Sequence, residues 1–305
     1  YMLENREIMM KMFPDLFHSN RVLRVDDYPT RLLQTLMSLA PKKCESSVPT
    51  VVLLTPGHLN SAYYEHTFLS DQMGIEMVEA QDLFVENDFL YMKTVDGPKK
   101  IDVVYRRIDD DYLDPLAYNP NSVIGVPGIT HVYKTGGVNI CSAPGAGIAD
   151  DKAVYIYVPE MIKFYLGETP ILDNVQTWRC ERDDDLKYVL ENIDELVIKE
   201  VDGSGGHGML IGPKSTKQEI EDFSSKLKLH PEGYIAQPTL DLSSSPTLID
   251  NEISGRRVDL RPFCLLGEKV QLCPGGLTRV ALGKGSYVVN SSQGGGVKDT
   301  WVLAD

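Results

Sequence analysis

Lys199 ends a β-branched run, and a knot of glycines follows it: VIKEVDGSGGHGML, residues 197–210, holds Gly203, Gly205, Gly206 and Gly208. Glycine lets a backbone turn freely and approach a ligand closely. Successive N–H groups in such a turn form a concavity that suits anions. Gly203, Gly205 and Gly208 match GxGxxG, a pattern that binds dinucleotides where it opens a helix. Here MLIGP follows, an apolar run closed by Gly212 and Pro213. A kinase-type loop carries its lysine on a later strand, whereas Lys199 comes first. The pattern GxxxxGK(S/T) is absent, because Pro213 separates Gly212 from Lys214. What remains is a strand with a phosphate-facing lysine, a flap through Gly203, Ser204, Gly205 and Gly206, and a return strand. A mobile surface hairpin with a solvated lysine accounts for the same residues equally well.

Other polar residues sit where chemistry is possible. Lys152, in IADDKAVYIY, stands at the expected start of a helix, where a cation opposes the dipole. A second contact to phosphate is one reason for it; solvation beside Asp150 and Asp151 is another. Asp259 and Arg261, two apart in RVDLRPFCLL, share one face of a strand and suit either an ion pair or an anion site. Arg279 follows a glycine pair in PGGLTRVAL, and its fork can grip two oxygens of a carboxylate or phosphate. The stretch VVNSSQGGGVKD, with Asn290, Gln293, Gly294 and Gly295, reads as a ligand-binding loop. Arg106 and Arg107 open a charged cluster with Asp109, Asp110 and Asp111 at a strand end, the place where α/β sheets bind ligands. Helix caps and surface ion pairs would explain much of that cluster too. In TPGHLNSAYYEH, Asn60 or Ser61 is expected to cap a helix, with substrate contact the sharper reading. No metal-ligand spacing and no GxSxG signature appears.

These residues need a frame to hold them. The chain has 305 residues and a net charge of -14, which suits about two domains. Such acidity argues against nucleic acid or an anionic membrane as the main partner. Five cysteines without a CxxC read as reduced thiols of a cytoplasmic protein. The first twenty residues are charged throughout and lack a signal-peptide core, and no run reaches the roughly 20 apolar residues of a membrane span. The chain opens on Tyr1, so a longer parent protein is expected.

Residues 1–46 read as helical, with RLLQTLMSLAP closed by Pro41, and CESSVP as a linker. From Thr50 onward short β runs alternate with helical ones, which predicts a mostly parallel α/β domain over 47–140. KKIDVVYRR reads there as one strand. From 141 to 305 a second region follows: a helix through YIYVPEMIKFYLG, a helix in ERDDDLKYVLENIDE, the strand ELVIKE, then β structure including GSYVVNS. The fold class is α/β, α+β overall.

In order along essentially the whole chain, LTPGHLNSAYYEH, YRRIDDDYLDPL, PGAGIADDKAVYIYVP, KEVDGSGGHGM, YIAQPTL, VDLRPF, PGGLTRVAL and VVNSSQGGGVKDTWVL resemble the circularly permuted ATP-grasp family. Some members of that family carry the label glutathionylspermidine synthase. The resemblance implies a permuted ATP-grasp fold with a preceding α/β domain. It implies an ATP-dependent carboxylate–amine ligase that works through an acyl-phosphate and releases ADP and phosphate. Lys152 and Lys199 would contact ATP phosphates under the flap of Gly203, Ser204, Gly205 and Gly206, with Gln237 near adenine. Arg261 and Arg279 would be catalytic. Arg106, Arg107, Asn290, Gly294 and Gly295 would face the substrates, a small or peptide-like carboxylate and an amine. Magnesium is expected, held in this family by an acid-x-Asn pair that would lie upstream of Tyr1; Asp202 and Asn290 are weak substitutes. The competing expectations are a nucleotide-binding scaffold that has lost the chemistry, and a phosphotransferase.

Overall fold

The computed structural model describes residues 1–203, 208–290 and 294–305. The chain divides into two compact units: 1–146 with 262–276 and 299–305, and 147–261 with 277–298.

The first unit opens with helices α1 (Met2–Met12), α2 (Pro14–Asn20) and α3 (Tyr28–Ser38). The expected helical stretch is thus three helices with irregular chain between them, and α3 stops at Ser38, ahead of Pro41. Next come β1 (Val51–Leu54), α4 (Tyr63–Met73), β2 (Glu76–Val78), β3 (Leu83–Glu86), β4 (Phe89–Thr94), β5 (Gly97–Ile101), β6 (Val103–Arg106), α5 (Asp110–Leu113), α6 (Ile129–Lys134) and β7 (Asn139–Cys141). β1 pairs in parallel with β2 and β6, and β6 with β7, giving the order β2-β1-β6-β7. Strand β1 is buried at every position, as a central strand covered on both faces must be. Its Val51 and Leu53 pack with Leu32 and Leu36 of α3. Its Val52 and Leu54 pack with Ile129 and Val132 of α6 and with the small antiparallel sheet β3-β4-β5.

Two local expectations change here. KKIDVVYRR is not one strand: Ile101 ends β5 in the antiparallel sheet, and Val103 begins β6 in the parallel one. Asp102 makes the break, since its Oδ2 accepts the Thr50 N–H at 2.9 Å while its own N–H goes to the Thr50 carbonyl at 3.0 Å. Neither Asn60 nor Ser61 caps α4. Its N-cap is Ala62, and Asn60 uses its side chain one turn early, accepting the Ala62 N–H at 2.8 Å.

The second unit holds α7 (Val158–Leu166), β8 (Trp178–Arg179), α8 (Asp183–Glu191), β9 (Leu196–Glu200), β10 (Leu210–Ile211), α9 (Lys217–Leu229), β11 (Tyr234–Pro238) and β12 (Ser244–Ile249). The expected helix through YIYVPEMIKFYLG is a 3-10 turn over Val154–Tyr157 followed by α7. Pro159 explains the division, being tolerated only in a first helical turn. The sheet order is β10-β9-β11-β8, antiparallel throughout. Leu196, Ile198 and Ala236 bury one face against Val189 of α8 and Leu227 of α9. Helix α9 starts on a capping box, Thr216 with Glu219, which satisfies two N–H groups that the helix end leaves over.

A last sheet runs β12-β13-β14-β15, with β13 Glu252–Leu266, β14 Val270–Val280 and β15 Gly296–Trp301. Each of the last three strands is divided between the units, after 261, 276 and 298. The described part of GSYVVNS, residues 285–290, is not a strand. The Ser286 hydroxyl accepts the Val288 N–H at 3.1 Å, a local bond that competes with strand pairing. Among the described residues no helix is long and apolar enough to cross a membrane.

Candidate functional site

Strands β9 and β11 pair so that Lys199 lies opposite Ile235 and Val197 opposite Gln237. Directly opposed residues share a face, so Lys199 and Gln237 project from the side of the sheet away from α8 and α9. There the Lys199 ammonium donates to Gln237 Oε1 at 2.7 Å. Gln237 in turn donates from Nε2 to Thr177 Oγ1 at 2.9 Å. Burial, and then the charge of Lys152, lower the Lys199 pKa. The lysine is half-buried, and its partner is a neutral amide rather than a carboxylate.

Lys152 approaches the end of β9 from the segment before the 3-10 turn. Its backbone N–H donates to the Val201 carbonyl at 3.0 Å. Its ammonium reaches the carbonyls of Glu200 at 2.9 Å and Val201 at 3.4 Å, and also that of Gly203. Lys152 therefore clamps the base of the glycine-rich segment, and it does not begin a helix as expected. On the return side Gly208 has φ +65, and a Cβ there would lie 2.3 Å from the Glu200 carboxyl carbon. Only glycine meets both demands. Ser204, Gly205 and Gly206 lie outside the described residues.

Arg179 extends the same face and had no motif to mark it. It lies opposite Ile235 on β8, so Arg179, Ile235 and Lys199 form one row across three strands. Its guanidinium donates to Tyr157 Oη at 2.5 Å and pairs with Glu181. The only signal in the sequence was an arginine beside an aromatic in TWRCE, too short a run for periodicity to show.

The remaining predicted residues separate. Arg279 pairs with Asp259 through Nε at 2.9 Å and through a second guanidinium nitrogen; the acid thus pairs with the next strand's arginine rather than with Arg261. The Arg261 side chain is exposed and makes no hydrogen bond or ion pair with a described residue. The Asn290 carbonyl accepts the Gly295 N–H at 3.0 Å. Gly294 has φ +82, and a Cβ at Gly295 would meet the Val289 carbonyl at 2.3 Å. Gln293 lies outside the described residues.

Arg106 and Arg107 belong to the first unit. Arg106 is spent on structure, donating to the carbonyls of Ser142 (2.6 Å), Ile108 (2.7 Å) and Ala143 (3.1 Å) and pairing with Asp110 at 2.6 Å. Arg107 has no carboxylate partner among the described residues; its guanidinium stands 3.5 Å from Tyr105 Oη. Asp202 is exposed, and among the described residues no three His, Cys, Asp or Glu side chains converge to hold a metal ion.

A family model described as circularly permuted ATP-grasp type 2 matches residues 1–281. An uncharacterized protein of Synechocystis sp. is 53% identical over 304 residues, covering 99% of this chain and 63% of the relative. An uncharacterized protein of Mycobacterium tuberculosis is 51% identical over 305 residues, covering 100% of this chain and 55% of that protein. The chain thus spans between 55% and 63% of the length of these relatives. Among solved structures, a glutathione synthetase-like effector from Globodera pallida aligns with a TM-score of 0.54 at 11% identity, over 92% of this chain and 61% of that one. That likeness is one of fold.

Proposed function

This chain belongs to the circularly permuted ATP-grasp type 2 family, and from that premise we propose that it is the nucleotide-using part of an ATP-dependent carboxylate–amine ligase. The observation that carries the reading is the lysine pair. Lys152 and Lys199 come from segments far apart in sequence and are close enough for the charge of one to lower the pKa of the other. Neither forms an ion pair with a described residue. Two cations held together in a half-buried place are costly unless an anion joins them. A polyphosphate is an anion of the right charge and length.

In this reading a substrate carboxylate oxygen attacks the terminal phosphorus of ATP, and the bond from that phosphorus to the bridging oxygen of ADP breaks. The acyl-phosphate then takes an amine at its carbonyl carbon, forming the amide and releasing phosphate, with the surplus amine proton lost to solvent. Such transfers depend on positioning and on neutralising charge. Lys199 and Lys152 neutralise the phosphates. Arg279, oriented by Asp259, and the exposed Arg261 supply cations for the transferred group. Gln237 orients Lys199 and borders the adenine. Asn290, Gly294 and Gly295 face a substrate. Magnesium would come with the phosphates, its usual habit; the described residues offer no carboxylate cluster to cage it. The compartment that suits this chemistry is the cytoplasm.

Thermal unfolding with and without Mg·ADP, in the wild type and in Lys199→Ala, tests the reading. Ligand at 100 times its dissociation constant stabilises the native state by about 2.7 kcal/mol, a rise of several degrees that the variant should lose. Equal binding by Lys199→Ala removes the site. Binding without ADP release from any acid and amine pair points instead to a nucleotide-binding scaffold.

A further inference from the structure

The parallel sheet of the first unit has the order β2-β1-β6-β7. From β1 the chain passes to one side, to β2, and then returns to the other side, to β6. The order therefore reverses between β1 and β6, and crossover connections that diverge at such a point leave room outside the carboxyl ends of the strands. Glu79, Thr55 and Arg107 stand there, each following the last residue of β2, β1 and β6. They form a row. Thr55 donates its N–H to the Val78 carbonyl at 2.9 Å, and Arg107 donates its own to the Leu54 carbonyl at 2.8 Å.

Side chains alternate along strands, and Met77, Leu53 and Tyr105, two residues earlier in each case, all pack on the cluster beneath α3. Glu79, Thr55 and Arg107 therefore share that face. Thr55 Oγ1 lies 2.9 Å from Nδ1 of the buried His66 and accepts the Gly57 N–H at 3.2 Å. Gly57 has φ +98, and a Cβ there would stand 3.2 Å from Glu79 Oε1, so the turn after β1 lies against that carboxylate. Arg107 and Glu79 do not pair; Glu79 accepts only neutral donors, the Asp82 N–H in a capping box and the Gln81 amide at 3.3 Å, so no described cation neutralises it. An unpaired cation and an acid on opposite sides of a fixed hydroxyl are complementary to a ligand that carries both charges.

We propose that this row is a binding site for a zwitterionic amino acid, with the ligand carboxylate on Arg107 and its ammonium on Glu79, the buried Thr55 fixing the turn between them. The site deepens the ligase reading by naming a substrate class, and rests on that reading for the ligand's fate. Its occupancy does not depend on nucleotide.

The test is binding to the full chain without nucleotide. A thermal-shift screen of the twenty free amino acids at millimolar concentration comes first, followed by calorimetry on any that stabilise. The N-acetyl and the carboxamide derivatives of that amino acid should each bind the wild type about tenfold more weakly, since each removes one charged hydrogen-bonding group. Arg107→Gln and Glu79→Gln should weaken the parent amino acid by a similar factor, and Lys199→Ala should leave it unchanged. Failure of every amino acid to bind overturns the proposal, as does a ligand that tolerates both derivatives or binds Arg107→Gln as tightly as the wild type. Loss of Mg·ADP binding in Lys199→Ala with amino-acid binding intact separates the two sites. Amino-acid binding without any nucleotide binding would leave this site standing and remove the ligase reading alone.

Discussion

The Lys199 ammonium rests 2.7 Å from Gln237 Oε1, a charged donor held by a neutral acceptor that is itself fixed to Thr177. The lysine is thereby aimed without being neutralised. Burial, with Lys152 second, depresses its pKa. The unfolded chain therefore holds this proton more tightly than the folded one, and stability rises with pH between the lowered value and the ordinary one near 10.4. Below the lowered value the cost of the buried cation is fully present. Lys199→Met should accordingly raise the urea midpoint of the unliganded chain at pH 7 while abolishing Mg·ADP binding. A fall in the midpoint would mean that the lysine supports the fold and is not held in reserve for a ligand.

Gln237→Glu places an acid where the amide was. The ion pair would satisfy Lys199 from within and cancel part of the charge offered to phosphate. We expect nucleotide affinity to drop at least about tenfold, the scale of one charge-assisted contact, with no loss of thermal stability. Isothermal titration with Mg·ADP, beside Gln237→Met, separates this electrostatic effect from loss of the amide alone. Equal affinity in the Glu and wild-type proteins would show that Lys199 does not meet the anion.

The glycine-rich segment was legible because its grammar is local: a β-branched run, a lysine, glycines and an apolar return. Strand β9 and its antiparallel partner β10 stand where that grammar puts them. What the sequence could not disclose was partnership over distance. Asp259 had a neighbouring arginine at Arg261, yet it pairs with Arg279 on the next strand, because register across strands decides which charges meet. Lys152 looked like a misplaced helix-start residue, and only the fold shows its ammonium on carbonyls some fifty positions later. Arg179 was invisible for a third reason. Its strand has two residues, and alternation needs more than that to appear. The break at Asp102 was hidden because a buried carboxylate reads as polar punctuation only once Thr50 is known to be beside it.

His66 is 1% exposed on α4, and its pKa is lowered to about 4, by burial first and then by the charge of Arg107. The folded chain prefers the neutral ring. From about pH 6.5 down to about pH 4 the unfolded chain takes up the proton first, so stability falls with pH across that window, by about 3 kcal/mol for a shift of this size. Urea midpoints at pH 7 and pH 4.5 should differ much less in His66→Gln than in the wild type. An unchanged difference would assign the acid sensitivity to carboxylates elsewhere.

Arg6 in α1 and Asp299 in β15 meet at 2.7 Å, with side chains only 5% and 2% exposed. Arg6 also donates to the carbonyls of Leu23 at 2.7 Å and Thr300 at 2.8 Å, and Asp299 accepts the Trp301 indole N–H at 2.7 Å. The pair fastens the two ends of the chain together within the first unit. Removing one partner leaves the other charge buried and alone, which typically costs about 3–5 kcal/mol. Arg6→Met and Asp299→Leu should each fall in that range. The double variant should cost far less than their sum, because it leaves no orphaned charge. Trp301 reports on this unit and Trp178 on the other, so fluorescence in a Trp178→Phe background follows the first unit's unfolding by itself. Additive losses would instead show that Arg6 stabilises through its carbonyl contacts and its packing on Phe17, 5.6 Å from the ring centroid, with Asp299 incidental.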